Sequence, residues 1–247
     1  MQNHSSALQT ALAHRSIRKF TEQAIDRETL SQLIYAGQMA STSSYMQNVS
    51  VIRVSDPAKR AQIRAICTQA TGGKGHAYVE HCAEFLVFCI DGSRHKHFAP
   101  HAQLDWTEVL LVGAVDVGIF AQNVMLAAES IGLGGVYIGS IRNNMAQAAE
   151  ILQTPDYVVP LVGMCLGYPD QDPAQRPRLP LDNVLFENEY GAPNETALSE
   201  YNQVVKQYYQ ERSNLDLSWQ QQIENNLCTE VRPEMLAFLQ SKGFAKR

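Results

Sequence analysis

The sequence predicts an α+β fold, because segments with strand patterning and segments with helical periodicity intermix along one chain. Residues 50–55 alternate between apolar and polar side chains, and residues 83–90 are apolar enough for a more buried strand. Residues 109–131 are apolar on nearly every side and long enough for a central helix. Together, these three segments predict a sheet that packs against a long helix.

Further strands and helices follow from the same patterns. Residues 136–138 and 157–166 are predicted strands, the second of them central, and residues 169–180 are predicted to form a proline-rich loop. Leucines at helical spacing predict two short helices near Leu8 and Leu30, and the last third is predicted to be mainly helical. The predicted helix boundaries are marked by capping, glycine and proline residues, namely Asp26 or Thr29, Gly132, Asn143 or Asn144, Pro233 and Gly243.

Length and composition set the organisation and exclude some partners. The 247 residues, 45% of them hydrophobic, contain no repeat or flexible linker, which predicts a single domain over residues 1–247. A net charge of −5 argues against binding to nucleic acid, which requires a surplus of Lys and Arg. Five cysteines without a CxxC pair, and a start without a signal-peptide pattern, predict a cytoplasmic protein.

The apolar segment 109–131 has the length of a membrane span, but polar residues interrupt it. Asp116, Gln122 and Asn123 would be costly in the middle of a bilayer, whereas a buried helix keeps a few hydrogen-bonding positions. The segment is therefore predicted to be a core helix, and no membrane partner is expected.

Two basic clusters are candidates for an anion site. His14, Arg15, Ser16 and Arg18 offer cations and a hydroxyl within a few residues, and a guanidinium pairs in a two-point fashion with phosphate oxygens. Residues 176–178 hold two arginines around a proline, which stiffens the loop and lowers the entropic cost of binding. Taken alone, the first cluster is better explained as a solvated basic turn and the second as an exposed rigid loop.

A glycine-rich segment, residues 132–140, leaves two alternatives open. It follows a helix and lacks the third glycine of the dinucleotide fingerprint, so it is not a nucleotide loop of that type. The glycines either make a tight helix-to-strand connection or let backbone amides approach a flat ring. His95, His97 and His101 lie in a polar segment and are interpreted as surface residues, so no metal site is predicted.

Taken together, the segments resemble the nitroreductase family, in its branch of bacterial oxygen-insensitive NADPH nitroreductases and NADPH-flavin oxidoreductases. The resemblance covers nearly the whole chain, and the combination of motifs in this order is highly specific. The motifs that carry it are at residues 14–18, 41–44, 83–89, 121–123, 127–139, 142–144, 165–167 and 176–180.

The resemblance implies a central, mainly antiparallel sheet surrounded by helices, in an interlocked homodimer that holds FMN without a covalent bond. It places five residues at the phosphate, namely His14, Arg15, Ser16, Arg176 and Arg178. Arg18 would lie near the N1 and C2 edge of the flavin, Thr42 at the ribityl or ring side, and residues 137–140 along the N5 edge. The full set of implied FMN contacts is His14, Arg15, Ser16, Ile17, Arg18, Thr42, His76, Tyr137, Ile138, Gly139, Ser140, Arg176, Pro177 and Arg178.

The implied activity is two-electron, ping-pong transfer of hydride from NAD(P)H to nitroaromatics, quinones or free flavin, with no catalytic side chain. A cation near N1 and a backbone N–H near N5 would both favour hydride acceptance. Two alternatives are a flavin reductase that supplies reduced FMN to a partner monooxygenase, and a non-catalytic, flavin-binding redox sensor. The chain departs from the family at His76, where a glutamine is usual, at Ser140, where a glycine is usual, and at Arg176, where a lysine is usual.

The late helices carry the prediction for the electron donor. Arg212 follows Tyr208-Tyr209 and is implied to bind the 2′-phosphate of NADPH, whereas Asp216 stands where relatives have a second cation. NADPH is therefore predicted as the preferred donor by a reduced margin, with NADH possible. Residues 181–190 contain several apolar side chains that would be exposed to solvent on a monomer. Residues 181–247 are therefore predicted to be a dimerising arm and helical extension.

Overall fold

The computed structural model describes residues 6–247, which form two compact units. The first unit comprises the chain up to Asp172 together with Arg232–Arg247, and the second comprises Pro173–Val231. The predicted single-domain organisation is not decided by this division and stays a prediction.

The first unit is built on a four-stranded sheet in the order β1-β2-β4-β3, and every neighbouring pair is antiparallel. The strands are β1 (Val49–Arg53), β2 (Glu84–Asp91), β3 (Gly134–Ile138) and β4 (Val158–Gly167). The four strands predicted from the sequence are confirmed to within a few residues at their ends. The two most apolar strands, β2 and β4, lie in the middle of the sheet, as expected for strands covered on both faces.

Alternation along β2 assigns its side chains to two separate cores. Leu86, Phe88 and Ile90 contribute to a core shared with the long helix. Phe85, Val87 and Cys89 contribute to a second core on the opposite face of the sheet. Because successive residues of a strand point to opposite faces, the sheet is the middle layer between two helical layers.

The helices of the first unit are α1 (Ala7–Leu12), α2 (Arg27–Gln38), α3 (Pro57–Cys67), α4 (Tyr78–His81), α5 (Ser93–Phe98), α6 (Thr107–Ser130), α7 (Met145–Leu152) and α10 (Met235–Ser241). Their starts follow ordinary capping chemistry. The Asp26 carboxylate accepts from the Thr29 amide, and the Asn144 side chain accepts from the Gln147 amide, which confirms one of each pair of predicted caps. Helix α3 starts with Asp56 as cap and Pro57 in its first turn.

Helix α6 is the predicted central helix, and its inner face packs on the sheet. By length and composition alone it could cross a membrane, but Val117, Val124 and Met125 are buried in the core. The outer face is different, because Leu111 and Val115 are exposed in the single chain. The prediction that α6 is a core helix therefore holds for one face only.

The second unit contains α8 (Glu195–Ser213) and α9 (Trp219–Leu227), joined by a short segment. Tyr201 of α8 packs edge to face on Trp219 of α9, with ring centroids 5.5 Å apart. The preceding segment, residues 184–190, has no regular structure and exposes Val184, Leu185 and Tyr190. The helical character of the last third is confirmed.

Candidate functional site

The first basic cluster runs along the edge of β3 in a fixed position. The Ile17 amide donates to the Gly135 carbonyl at 2.9 Å, and Ile17 is buried. A Cβ at Gly134 would lie 2.5 Å from Ile17 Cγ1, so only glycine lets the two segments approach this closely. The cluster is therefore fixed to the sheet and is not a free basic turn.

Two carboxylates that the sequence analysis did not single out hold this cluster. His14 Nδ1 donates to Glu129 Oε1 at 2.6 Å, at the last turn of α6, and Glu129 is only 11% exposed. Arg15 donates to Asp172, which is 85% exposed. These partners lie 115 and 157 positions away in the sequence, so no local pattern indicates them.

Arg15 has the features of an anion-binding residue. Its Nε is buried and has no hydrogen-bond partner among the described residues. Its carboxylate partner is on the surface, where an ion pair contributes little, typically below about 1 kcal/mol. An anion with several oxygens would therefore displace Asp172 at low cost and satisfy more of the guanidinium donors.

Two of the predicted flavin contacts, His76 and Ser140, meet in the structure although they are 64 positions apart. His76 Nε2 and Ser140 Oγ share a hydrogen bond of 3.1 Å. Burial, and then the charges of Arg18 and Arg64, lower the pKa of His76 below its usual value of 6.5. The first basic cluster and the His76–Ser140 pair thus lie in one electrostatic neighbourhood.

The predicted N5-edge residues follow the end of β3. Ile138 is buried, and Gly139 begins a short 3₁₀ helix, Gly139–Asn144. The Tyr137 hydroxyl donates to Gln122 Oε1 at 3.2 Å, which accounts for one of the polar residues of α6. Burial, and then the Glu129 carboxylate, raise the pKa of Tyr137 far above its usual range, so its phenol stays protonated.

Thr42 is held at a different place within the same chain. Its hydroxyl donates to Asp116 Oδ2 at 2.6 Å, and Asp116 is buried in α6. His14 is held at Glu129, 13 positions further along the same helix, which is about 20 Å at 1.5 Å per residue. A single chain therefore anchors Thr42 and the basic cluster far apart along α6.

A cavity of about 730 Å³ lies beside Thr42 and Asp116. Apolar side chains such as Met46, Leu104 and Phe120 line most of it, together with Arg94. Arg94 is already engaged, because its guanidinium donates to the Gln47 and Val49 carbonyls. The cavity is large enough for a small aromatic molecule.

The second basic cluster and Arg212 belong to the second unit. Arg178 Nη1 donates to the Arg176 carbonyl at 2.8 Å, and the Arg176 guanidinium lies 5.7 Å from the centre of the Tyr209 ring. Among the residues described, no carboxylate forms an ion pair with Arg176 or Arg178. Arg212 donates to the Tyr208 hydroxyl at 2.9 Å. Within residues 6–247, no three or more His, Cys, Asp or Glu side chains are placed to hold one metal ion.

The described fold and site define the class of this protein. The family model "Nitroreductase family" matches residues 11–168, and the model "Nitroreductase family, C-terminal domain" matches residues 176–247. The chain therefore belongs to the nitroreductase family.

Individual relatives agree over the full length. The chain is 50% identical to the NADPH-flavin oxidoreductase of Vibrio harveyi and 40% identical to the oxygen-insensitive NADPH nitroreductase of Salmonella typhimurium, covering 98% of this chain and 100% of each relative. The crystal structure of nitroreductase A from Vibrio parahaemolyticus superposes with a TM-score of 0.91 at 48% identity, over 98% of this chain and 99% of that one. The NADPH:FMN oxidoreductase of Vibrio harveyi, complexed with NAD+, gives a TM-score of 0.89 at 47% identity, over 98% and 100%. These similarities confirm the predicted fold and family branch.

Proposed function

We propose that this chain is an FMN-dependent NAD(P)H oxidoreductase that reduces nitroaromatics, quinones or free flavin. The single observation that carries the proposal is Arg15, a sheet-anchored arginine with a buried, unpartnered Nε and a displaceable surface carboxylate. Relatives named NADPH-flavin oxidoreductase, oxygen-insensitive NADPH nitroreductase and FMN reductase (NADPH) support the same activity.

The residues present fit FMN by their chemistry. The proposed phosphate contacts are His14, Arg15 and Ser16 together with Arg176, Pro177 and Arg178. The guanidiniums of Arg176 and Arg178 form no ion pair with a carboxylate among the described residues. Ile17, Arg18, Thr42, His76, Tyr137, Ile138, Gly139 and Ser140 remain the proposed contacts to the rest of the cofactor. When bound, FMN accepts a hydride from NAD(P)H and passes the electrons to the second substrate.

The residues of the chain contribute binding and charge. Arg18 places a fixed positive charge beside His76, in the part of the site assigned to the flavin ring. Such a charge favours the uptake of negative charge by a bound ring. Tyr137 and Ile138, which are partly and fully buried, would contact the flavin ring. No covalent or acid–base role is assigned to a side chain.

We also propose that the protein is an interlocked homodimer. The outer face of α6 exposes Leu111, Val115 and Ile119 at a spacing of four residues, which makes an apolar stripe on the single chain. Thr42 lies about 20 Å along α6 from the basic cluster, so a partner's loop is the simplest source of the Thr42 contact. Residues 1–247 would then act as one FMN-binding domain with residues 181–247 as the dimerising arm, in the cytoplasm.

NADPH is the proposed donor, with NADH accepted less well. Arg212 contacts the Tyr208 hydroxyl and ring and forms no ion pair with a carboxylate of residues 6–247, so its charge is available to a phosphate. Asp216, which would repel that phosphate, is paired with Lys206 at 2.9 Å. This pairing weakens the repulsion expected from the sequence.

The test is purification followed by assay of the native protein. We expect a yellow protein that releases FMN on denaturation and oxidises NADPH faster when a nitroaromatic or quinone is added. Turnover with free FMN alone would favour the flavin-reductase alternative, and bound FMN without NADPH oxidation would favour the redox sensor. A folded protein that stays colourless and gains no absorbance with added FMN would refute the proposal.

A mixed dimer tests whether two chains share each site. Arg15→Ala and Thr42→Val chains, carrying different affinity tags and expressed together, would form heterodimers with one intact site and one doubly altered site. We expect the heterodimer to retain about one FMN per dimer while each mutant homodimer loses it. Equal, weak retention in all three species would contradict a shared site.

A further inference from the structure

His76 occupies an unusual backbone position at the end of a glycine-rich loop. Gly72, Gly73 and Gly75 have φ values of 61°, 86° and 93°, and His76 itself has a φ of 53°. Residues with a Cβ rarely adopt this left-handed region, and such strain persists where surrounding structure imposes it. Arg64 helps to impose it here, since its Nε donates to the Gly75 carbonyl at 3.1 Å.

The imidazole lies among polar groups from three elements. Ser140, from the turn after β3, shares the 3.1 Å hydrogen bond with Nε2, and the Tyr78 ring centre lies 5.5 Å away. The charged neighbours are Arg18 and Arg64, and Arg64 is itself paired with Glu80 at 2.9 Å. The buried thiol of Cys67 also interacts with Ser140, and burial raises its pKa above the usual value. No carboxylate among the described residues forms an ion pair with His76.

These surroundings favour a neutral imidazole. In that form one ring nitrogen accepts a hydrogen bond and the other donates one. Protonation removes the acceptor and adds a third positive charge beside Arg18 and Arg64. A protonated Nε2 would still donate to Ser140 Oγ, but it could no longer accept from the Ser140 hydroxyl, so the direction of this hydrogen bond and the orientation of the hydroxyl in the turn after Gly139 depend on the protonation state of His76.

We propose that His76 and Ser140 act as one titratable pair in the flavin site, in which the neutral imidazole positions Ser140 and the Gly139–Ser140 turn for FMN. This inference rests on the proposed FMN site. His76 is a positioning residue in this role, because it acts through Ser140. Binding of a cofactor against the pair would bury the imidazole further, so FMN and a proton on His76 oppose each other.

The experiment measures the dissociation constant for FMN between pH 5 and 8, by flavin fluorescence, in four proteins. These are the wild type, His76→Gln, Ser140→Ala and the double variant. Glutamine keeps a donor and an acceptor but does not titrate in this range. Because the FMN phosphate titrates equally in all four, a difference between the profiles isolates His76.

We expect wild-type affinity to fall more steeply than that of His76→Gln as the pH decreases below about 6.5, the ordinary pKa of histidine. At pH 7.5, each single variant should weaken FMN binding about twofold to tenfold, and the double variant should lose little more than either single one. His97→Gln, a change at an exposed histidine of α5, is the matched control and should follow the wild type.

A second readout does not depend on FMN affinity. In the NMR spectrum of the apoprotein, the His76 ring proton, assigned with His76→Gln, should titrate below 6.5, and its midpoint should move to lower pH when FMN is added. Parallel pH profiles with additive losses, or a His76 titration that FMN leaves unchanged, would overturn the inference. Failure of the wild type to bind FMN at any pH would instead refute the proposed function.

Discussion

The buried carboxylate of Asp116 gives a sharp test of how α6 holds the Thr42 loop. Asp116 Oδ2 accepts from the Thr42 hydroxyl at 2.6 Å, and Oδ1 accepts from the Ser43 amide at 3.2 Å. Thr42 Oγ1 in turn accepts from the Gln47 amide at 2.9 Å, so one carboxylate fixes both ends of the loop. Asp116 is only 3% exposed, so its hydrogen bonds are largely shielded from water.

Asp116→Ala removes both hydrogen bonds to a charged acceptor. At about 1.5–3 kcal/mol each the loss is about 3–6 kcal/mol, with the longer Ser43 bond at the low end. Alanine offsets part of it through a higher helix propensity, about 0.7 kcal/mol, and through removal of a buried charge. We expect a net destabilisation of about 2–5 kcal/mol, or about 4–20 °C in Tm at 2–4 °C per kcal/mol, with the removal of a buried charge favouring the lower end.

Asp116→Asn is the matched control. Its Oδ1 still accepts from the Ser43 amide, and only the Thr42 bond is weakened, so a loss of about 1 kcal/mol is expected. The free energy of unfolding is measured by urea denaturation of the apoproteins at one fixed protein concentration, because the proposed dimerisation would contribute to stability. FMN content should fall in the same order. Equal stability of all three proteins would refute the reasoning, as would an Ala variant that is destabilised but retains full FMN affinity.

Three further predictions concern the phosphate sites and pH. Arg15→Ala should weaken FMN binding by about 1.5–3 kcal/mol in equilibrium titrations, with Arg15→Lys intermediate because it keeps the charge but loses the planar fork; an unchanged dissociation constant would exclude Arg15 from the site. Arg212→Ala should raise the KM for NADPH by about tenfold or more with little change in kcat and little effect on NADH, and equal losses with both donors would show that Arg212 does not bind the 2′-phosphate. The folded-state pKa of His76 lies below its ordinary 6.5, so the unfolded chain takes up this proton first as the pH falls. The contribution of His76 to folding stability is therefore complete above about pH 6.5 and is lost as the pH falls below that value. The apo His76→Gln variant should lose less free energy of unfolding than the wild type between pH 7 and 5. Parallel curves of unfolding free energy against pH would contradict this.

The sequence determined the secondary structure wherever the signal was local. Strand β2 was predicted because residues 83–90 are almost continuously apolar, and all eight residues of the strand are buried. Helix α6 was predicted from a long apolar run that Asp116, Gln122 and Asn123 interrupt near its middle. In the structure these three side chains form hydrogen bonds. Asp116 accepts from Thr42 and Ser43, Gln122 accepts from the Tyr137 hydroxyl, and Asn123 donates to the Ala36 carbonyl. Helix α3 was not predicted, although its Asp56-Pro57 start is a local signal that the sequence contains.

Only the tertiary structure decided which distant groups meet. The strand order β1-β2-β4-β3 and the pairs His14–Glu129 and Arg15–Asp172 join residues with no local relation, because chain folding, and not sequence spacing, sets their distances. The resemblance named Thr42 and His14 as parts of one site, whereas the fold anchors them about 20 Å apart on one helix. The sequence thus contained the residue types proposed for the cofactor site, and the packing of α6 against the sheet determined where Thr42 and His14 are anchored.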